Sequence, residues 1–243
     1  MGQGLAILVR TRQHTLLYDA GPRFGEFDIG QRVVLPAIRK SGVRRLDLML
    51  LSHADADHAG GALAVYQGLP VERVLGGELA RLPALLNTRI CENDQRWEWD
   101  SVTFSIWRWE HAREGNQASC VLMIDAQGER LLLTGDIDAE AERALIDSSF
   151  DLRADWLQAP HHGSRTSSSK IFLQAVAPQG VLISRGRNNA FGHPHPMVMA
   201  RYGWLGIRAY DSAELGAINL QLGTFGQPHS QRHERLFWRD GNQ

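Results

Sequence analysis

Apolar residues fall in short runs separated by turn residues along most of the chain, and each run carries a period that predicts an element. Leu5-Ala6-Ile7-Leu8-Val9 and Thr15-Leu16-Leu17-Tyr18 flank the polar turn Arg12-Gln13-His14 and predict an opening hairpin. Between Ile29 and Ile38, Val33, Val34, Ala37 and Ile38 recur at helical spacing; Gly42 marks the stop, and a strand follows from Leu46 to Leu51. After Gly60-Gly61 the pattern predicts a helix over Ala62 to Tyr66 and a strand over Val71 to Leu75. Trp97, Trp99, Val102, Phe104, Ile106, Trp107 and Trp109 alternate with polar residues, which predicts two hairpin-like strands whose tryptophans serve the core or sheet surface rather than base stacking. Strands over Cys120 to Ile124 and Arg130 to Leu133 flank the turn Gln127-Gly128. A helix over Ala139 to Ile146, a strand over Trp156 to Ala159, a helix near Ile171 to Val176 and a strand over Val181 to Ser184 complete the pattern. The segment beyond Gly223 reads as loosely held.

With 243 residues, 43% hydrophobic and 22% charged, the chain buries a full core, and residues 1–243 read as one domain. Its apolar runs, such as Leu48-Met49-Leu50-Leu51, are far shorter than the roughly 20 residues that span a bilayer. No signal-peptide pattern opens the chain. The start inside a strand-leading motif is read as the mark of a domain cut from a longer protein. A net charge of -1 gives no argument for nucleic acid. The only lysines are Lys40 and Lys170, so the cations are nearly all arginines, the type suited to bidentate phosphate contacts. Cys91 and Cys120 lie in unrelated contexts without metal-ribbon spacing and indicate no disulfide framework.

Chemistry concentrates after the predicted strands. His53, Asp55, Asp57 and His58 place four donors within one short loop, a density a core cannot hold without a cation. Asp136 follows Leu131-Leu132-Leu133, His161-His162 follow the strand ending at Ala159, and His193-Pro194-His195 follow the strand ending at Ser184. Six of the ten histidines lie in these clusters, which makes a surface origin for them a poor explanation. Two divalent ions about 3.5 to 4 Å apart are the usual device for phosphodiester chemistry on such a donor set.

Ser52-His53-Ala54-Asp55-Ala56-Asp57-His58-Ala59-Gly60-Gly61, with Thr134-Gly135-Asp136 and Pro160-His161-His162-Gly163-Ser164, resembles the metallo-β-lactamase superfamily. Gly2-Gln3-Gly4, Leu133-Thr134-Gly135-Asp136-Ile137-Asp138-Ala139-Glu140, His161 to Ser167 and Gly192-His193-Pro194-His195-Pro196 narrow the resemblance to the C-terminal domain of ComEC-type competence DNA-uptake channel proteins. The resemblance implies an α/β fold, an αββα four-layer sandwich with the active site along one edge. It implies that His53 and Asp55 serve a first metal, Asp57 and His58 a second, and that Asp136 bridges them. Asp19 would steady the motif loop. One of His161 and His162, and one of His193 and His195, would complete the coordination; His161 and His193 are taken as ligands, His162 and His195 as proton donors. Two departures stand out: Asp55 occupies the place of a usual histidine, and the Asn116-Gln117-Ala118-Ser119 stretch replaces the isolated third-motif histidine. A carboxylate-rich set favours manganese first, then zinc or magnesium.

The expected reaction is in-line attack of a metal-activated water on a phosphodiester, with Asp57 orienting the water and His162 or His195 protonating the leaving oxygen. Arg165, Lys170, Arg185 and Arg187 would hold the backbone of a DNA single strand, with Ser164, Thr166 and Ser167 as neutral donors and Asn116 and Ser119 beside the metals. The resemblance implies a nuclease that degrades the non-transported strand during natural transformation, attached to the membrane-channel portion of its parent on the periplasmic, outer face of an inner membrane. Rival readings are a small-phosphodiester or phosphorylcholine-esterase-like hydrolase and a catalytically silent DNA-binding module. Nothing signals a lactam pocket.

Overall fold

A computed structural model of the chain describes residues 3–230. Its first half runs β1 (Ile7–Arg10), β2 (Thr15–Tyr18), the short ribbon β3 (Arg23–Phe24) and β4 (Phe27–Asp28), α1 (Leu35–Lys40), β5 (Leu48–Leu51), α2 (Ala56–Ala59), α3 (Ala62–Gly68), β6 (Val74–Gly76) and β7 (Arg89–Ile90). The second half runs β8 (Arg96–Trp99), β9 (Val102–Trp107), β10 (Val121–Ala126), β11 (Glu129–Leu133), α4 (Ala139–Asp147), β12 (Trp156–Gln158), α5 (Lys170–Val176), β13 (Gly180–Ile183), α6 (Pro196–Trp204) and β14 (Arg208–Asp211). α7 (Ser212–Leu215) and the ribbon β15 (Ile218–Asn219) with β16 (His229–Ser230) close the described segment.

Each half makes one mixed sheet, ordered β1-β2-β5-β6-β7 in the first and β14-β13-β12-β11-β10-β9-β8 in the second. The strands are apolar on both faces because both faces are covered. Leu16, Tyr18, Leu48 and Leu50 point inward to meet Phe104, Ile106, Leu122, Ile124, Leu131 and Leu133 of the other sheet. Leu17, Met49 and Leu51, one register step away, pack outward on Val34, Leu35, Ile38, Ala62 and Val65 of the first helical layer. Val121, Met123, Leu132, Leu157 and Val181 pack outward on Leu145, Phe172, Leu173, Val198 and Tyr202 of the second. Three apolar interfaces therefore hold four layers, helix, sheet, sheet and helix, as side-chain alternation dictates.

Several local expectations need correction. The helical signal at Ile29 to Ile38 is met by a π-type turn, Gly30–Val34, feeding α1. There the chain passes backbone to backbone against Gly61, and a Cβ on Gly30 would lie 2.2 Å from the Gly61 carbonyl oxygen. Val71 makes only an isolated parallel bridge to Leu46, so β6 begins at Val74. Residues 224–230 are anchored: the backbone N–H groups of Thr224 and Phe225 donate to Glu129 Oε2 at 3.1 and 2.7 Å, and Tyr210 bonds Gln227. The remainder of that tail, and Gly2 of the opening motif, lie outside the described residues. Cys91 and Cys120, expected to be unrelated, form a disulfide across a sequence separation of 29. It is buried and ties the segment after β7 to the start of β10, one sheet to the other. The Tyr18 hydroxyl reinforces that link by donating to the Cys120 carbonyl at 2.7 Å.

Candidate metal centre

Strands β2, β5 and β6 run parallel, as do β11, β12, β13 and β14. Loops that leave the carboxyl ends of parallel strands share one edge of a sheet. Asp19 follows β2, the His/Asp loop follows β5, Asp136 follows β11, His161 and His162 follow β12, and Ser184 follows β13. The two sheets thus deliver donors to one seam from opposite sides.

Asp19 is fully buried and organises the first side. Its carboxylate accepts from Ser52 N at 2.7 Å, Ser52 Oγ at 2.8 Å and His58 Nδ1 at 2.7 Å. From the second side, His162 Nδ1 donates to the Ser184 carbonyl at 2.8 Å. With each Nδ1 committed to its acceptor, the two Nε2 atoms face each other at 3.2 Å, where each would offer a cation a lone pair. Asp136 Oδ1 lies 3.1 Å from His58 Nε2, and Asp57 Oδ2 lies 3.3 Å from His162 Nε2. One atom from each of Asp57, His58, Asp136 and His162 falls within 4.8 Å of all the others. Two carboxylates and two imidazole Nε2 atoms aimed at one point make a donor set that fits a divalent ion.

The electrostatics carry the same signature. Burial would lower the His58 imidazole, but the Asp136 and Asp19 carboxylates on either side raise it well above its ordinary range. Burial would raise Asp136, yet His58 and His162 hold it well below the usual carboxylate range. Asp57 is likewise lowered, against its burial, by His162 and His58.

The flanking position around His53 is built differently. His53 is buried, its Nδ1 sits 3.0 Å from Ser52 Oγ and 3.5 Å from Ser119 Oγ, and its Nε2 has no hydrogen-bond partner. Asp55 Oδ2 is 3.6 Å from that Nε2. The other Asp55 oxygen accepts from Arg81 Nη2 at 2.7 Å. Contact with His53, and then with Arg81, holds the Asp55 carboxyl well below its ordinary range despite partial burial. The short turn Asn116–Ala118 brings Ser119 Oγ to Asp136 N at 3.2 Å and Asn116 Nδ2 to His161 Nδ1 at 3.3 Å. Two candidates for a lost histidine thus back the centre with a hydroxyl and an amide.

The fold places the members of the two histidine pairs differently. His161 and His162 both take left-handed backbone angles, φ 49° and 54°, and this double turn sends adjacent side chains apart. His162, assigned to proton donation, enters the buried cluster; His161, assigned as a ligand, stays half-buried with Nε2 3.8 Å from Asp136 Oδ2. His193 packs edge-on against His161, ring centroids 5.6 Å apart, and desolvation with the neighbouring His161 and His162 pushes it down to about 4. His195 caps α6 instead, its Nδ1 accepting from Met197 N at 3.2 Å and its N–H donating to the Gly163 carbonyl at 2.8 Å. That helix-capping bond occupies Nδ1 and gives His195 a structural task.

Of the presumed substrate contacts, Arg165, Lys170 and Arg187 are exposed, whereas Ser164 is buried against Thr166 and Arg185 is engaged by Asp211 at 2.6 Å. Two features lay outside the sequence reading. Arg81 and the buried Glu78 come from the loop after β6, which carries no motif. Glu142 looks like a surface residue of α4, but it is buried and accepts from Ser168 N at 2.5 Å and Ser169 N at 2.9 Å, pinning the loop that carries the paired histidines. Its place in the a/d-like stripe of α4, beside Ala141 and Leu145, was the available signal.

Two mixed sheets packed between helices, with an Asp/His cluster on their shared edge, define the class. The model of the metallo-beta-lactamase superfamily matches residues 1–187, and the chain belongs to that superfamily. Among curated relatives it is 38% identical over 242 residues to competence protein ComA of Neisseria gonorrhoeae, covering 98% of this chain and 34% of that one. It is 28% identical over 233 residues to ComE operon protein 3 of Bacillus subtilis, covering 87% and 30%. The chain therefore spans about a third of the length of these competence-related proteins. The solved metallo-beta-lactamase fold protein YhfI of Bacillus subtilis superposes with a TM-score of 0.55 at 13% identity, covering 86% of this chain and 89% of that one. Zinc-bound PqqB of Methylobacterium extorquens gives 0.51 at 14%, covering 85% and 84%. At these identities the likeness establishes the fold: an α/β sandwich of two mixed sheets flanked by helices.

Proposed function

We propose that the chain is a metal-dependent nuclease domain that hydrolyses DNA phosphodiesters and degrades the non-transported strand during natural transformation. The observation that carries the metal chemistry is the opposed Nε2 pair of His58 and His162 between Asp57 and Asp136. The DNA assignment draws on the competence proteins it resembles. One ion would be held by Asp57, His58, Asp136 and His162, and a second by His53 and Asp55 with Asp136. Manganese is the first choice and zinc or magnesium the next, because carboxylates supply half of the cluster. A bound ion supplies charge neutralisation at the phosphoryl oxygens and an acidified water. The chain's own residues do the rest. Asp57, with its side chain about a quarter exposed, stands at the mouth of the cluster where an attacking water enters. His161 and His193, packed against each other beside the cluster, would line the path of the leaving group. Arg165, Lys170 and Arg187 offer cations to a single strand.

In the parent protein this domain would stand beside a membrane channel, on the outer face of the inner membrane. The buried inter-sheet disulfide supports that side, since such bonds persist in oxidising compartments. No helix among the described residues is long and apolar enough to cross a membrane.

The test is cleavage of end-labelled single-stranded DNA by metal-stripped protein, titrated with manganese, magnesium and zinc beside the Asp57→Ala variant. Manganese-dependent cleavage that the variant lacks is expected. Hydrolysis of small phosphodiesters without DNA cleavage would move the assignment to a small-ester hydrolase, and stoichiometric DNA binding without metal uptake would make it a silent binding module.

A further inference from the structure

The second metal position carries a feature that no motif announces. Asp55 is held by an arginine: Arg81 Nη2 donates to Oδ1 at 2.7 Å while Nη1 lies 3.5 Å from Glu78 Oε2. Glu78 is 1% exposed, and its Oε2 also accepts from Gly115 N at 3.1 Å. Its Oε1 is buried without a hydrogen-bond partner. Glu78 is therefore a fixed anchor, whereas the Arg81 side chain is 49% exposed. Asp55 Oδ2 meanwhile faces the unpartnered His53 Nε2 at 3.6 Å. Among the described residues no arginine or lysine pairs with the four donors of the His58 cluster in this way.

We infer that Arg81 sets the occupancy of the His53/Asp55 position by exchanging its guanidinium between the Asp55 carboxylate and a phosphate group of the substrate. A guanidinium on Asp55 neutralises the carboxylate and adds a repelling positive charge where a second cation would enter. A phosphate diester offers the same guanidinium an equivalent oxyanion pair, and transfer to it releases Asp55 for the ion. The resting protein then holds one ion tightly at Asp57, His58, Asp136 and His162 and a second one weakly, and an anionic phosphate tightens the second. This rests on the metal-centre reading of the cluster, not on DNA being the substrate.

The experiment is manganese binding by equilibrium dialysis and electron paramagnetic resonance on the folded chain, wild type beside Arg81→Met and Arg81→Lys, each with and without inorganic phosphate. The expected wild-type result is one tight and one weak ion, with phosphate strengthening only the weak one. Arg81→Met should strengthen the weak ion roughly tenfold, leave the tight one unchanged and abolish the phosphate effect. Arg81→Lys, which keeps a cation but loses the planar fork, should fall between. Two equal affinities in the wild type, or a weak constant that Arg81→Met leaves unchanged or worsens, would overturn the inference while leaving the metal centre standing. Uptake of no manganese by any of the proteins would refute both.

Discussion

The donors around His58 and those around His53 belong to one short loop, yet the fold treats them as different objects. His58 has one ring nitrogen fixed by Asp19 and the other aimed at Asp136 and His162 from the opposite side of the seam. His53 has a hydroxyl contact at one nitrogen and no hydrogen bond at the other, and its neighbour Asp55 is shared with Arg81. One position is determined by buried geometry; the other is left adjustable at the solvent edge. Ligand identity alone does not set how firmly a site holds its ion, because the groups behind the ligands fix their orientation and charge.

The sharpest test of that difference pairs two substitutions. Asp57→Ala should abolish tight manganese binding and metal-dependent cleavage, whereas Asp55→Ala should spare the tight ion and lower activity by roughly tenfold, read by metal content and cleavage rate together. Equal losses would erase the distinction. Reduction of the disulfide, or Cys91→Ser, removes the covalent closure of a 29-residue separation and should cost about 3 kcal/mol in chemical denaturation. Because Ser119, next to Cys120, touches both His53 Nδ1 and Asp136 N, the weak ion should suffer more than the tight one. Asp19→Asn keeps the shape but weakens the acceptor behind His58, and should reduce affinity for the tight ion about 10- to 100-fold in dialysis. The smallest effect concerns Glu142 under the histidine loop. Burial pushes its carboxyl up to about 7, against the lowering contacts from Ser169 and Ser168, with Asp138 adding to the rise. A raised acid favours its protonated form in the folded state, so this contribution is complete at acid pH and is lost as pH climbs through about 7. Melting of the metal-free wild type should fall by a few degrees relative to Glu142→Gln between pH 5 and 8.

What could be read in advance follows from how local each signal is. The continuous apolar runs of β2, β5 and β10 mark them as strands covered on both faces, a signal that needs only neighbouring residues. The His/Asp loop is equally local. Which of His161 and His162 turns inward depends on two successive left-handed residues, a backbone property that the side-chain pattern does not encode. Arg81 meets Asp55 across 26 positions, where the loops after β5 and β6 come together, and Cys91 meets Cys120 across 29, a pairing that exists only once the sheets are stacked. Glu142 sits in a helix whose polar composition suggests solvent, and its place in the stripe of Ala141 and Leu145 is a faint signal that the packing of α4 against the histidine loop makes plain.

The seam between the sheets also imposes an order in time. Sheet one is complete by Ile90, but His58 must wait 104 residues for His162, and His162 is oriented only when the Ser184 carbonyl is in place. A chain emerging from its N-terminus therefore carries the recognisable motif long before it can grip an ion. Products that stop short of β13 would display the whole His/Asp loop and still leave a divalent ion in solution, so in a mixed population a retained ion would mark molecules whose synthesis and folding have reached the far side of the seam.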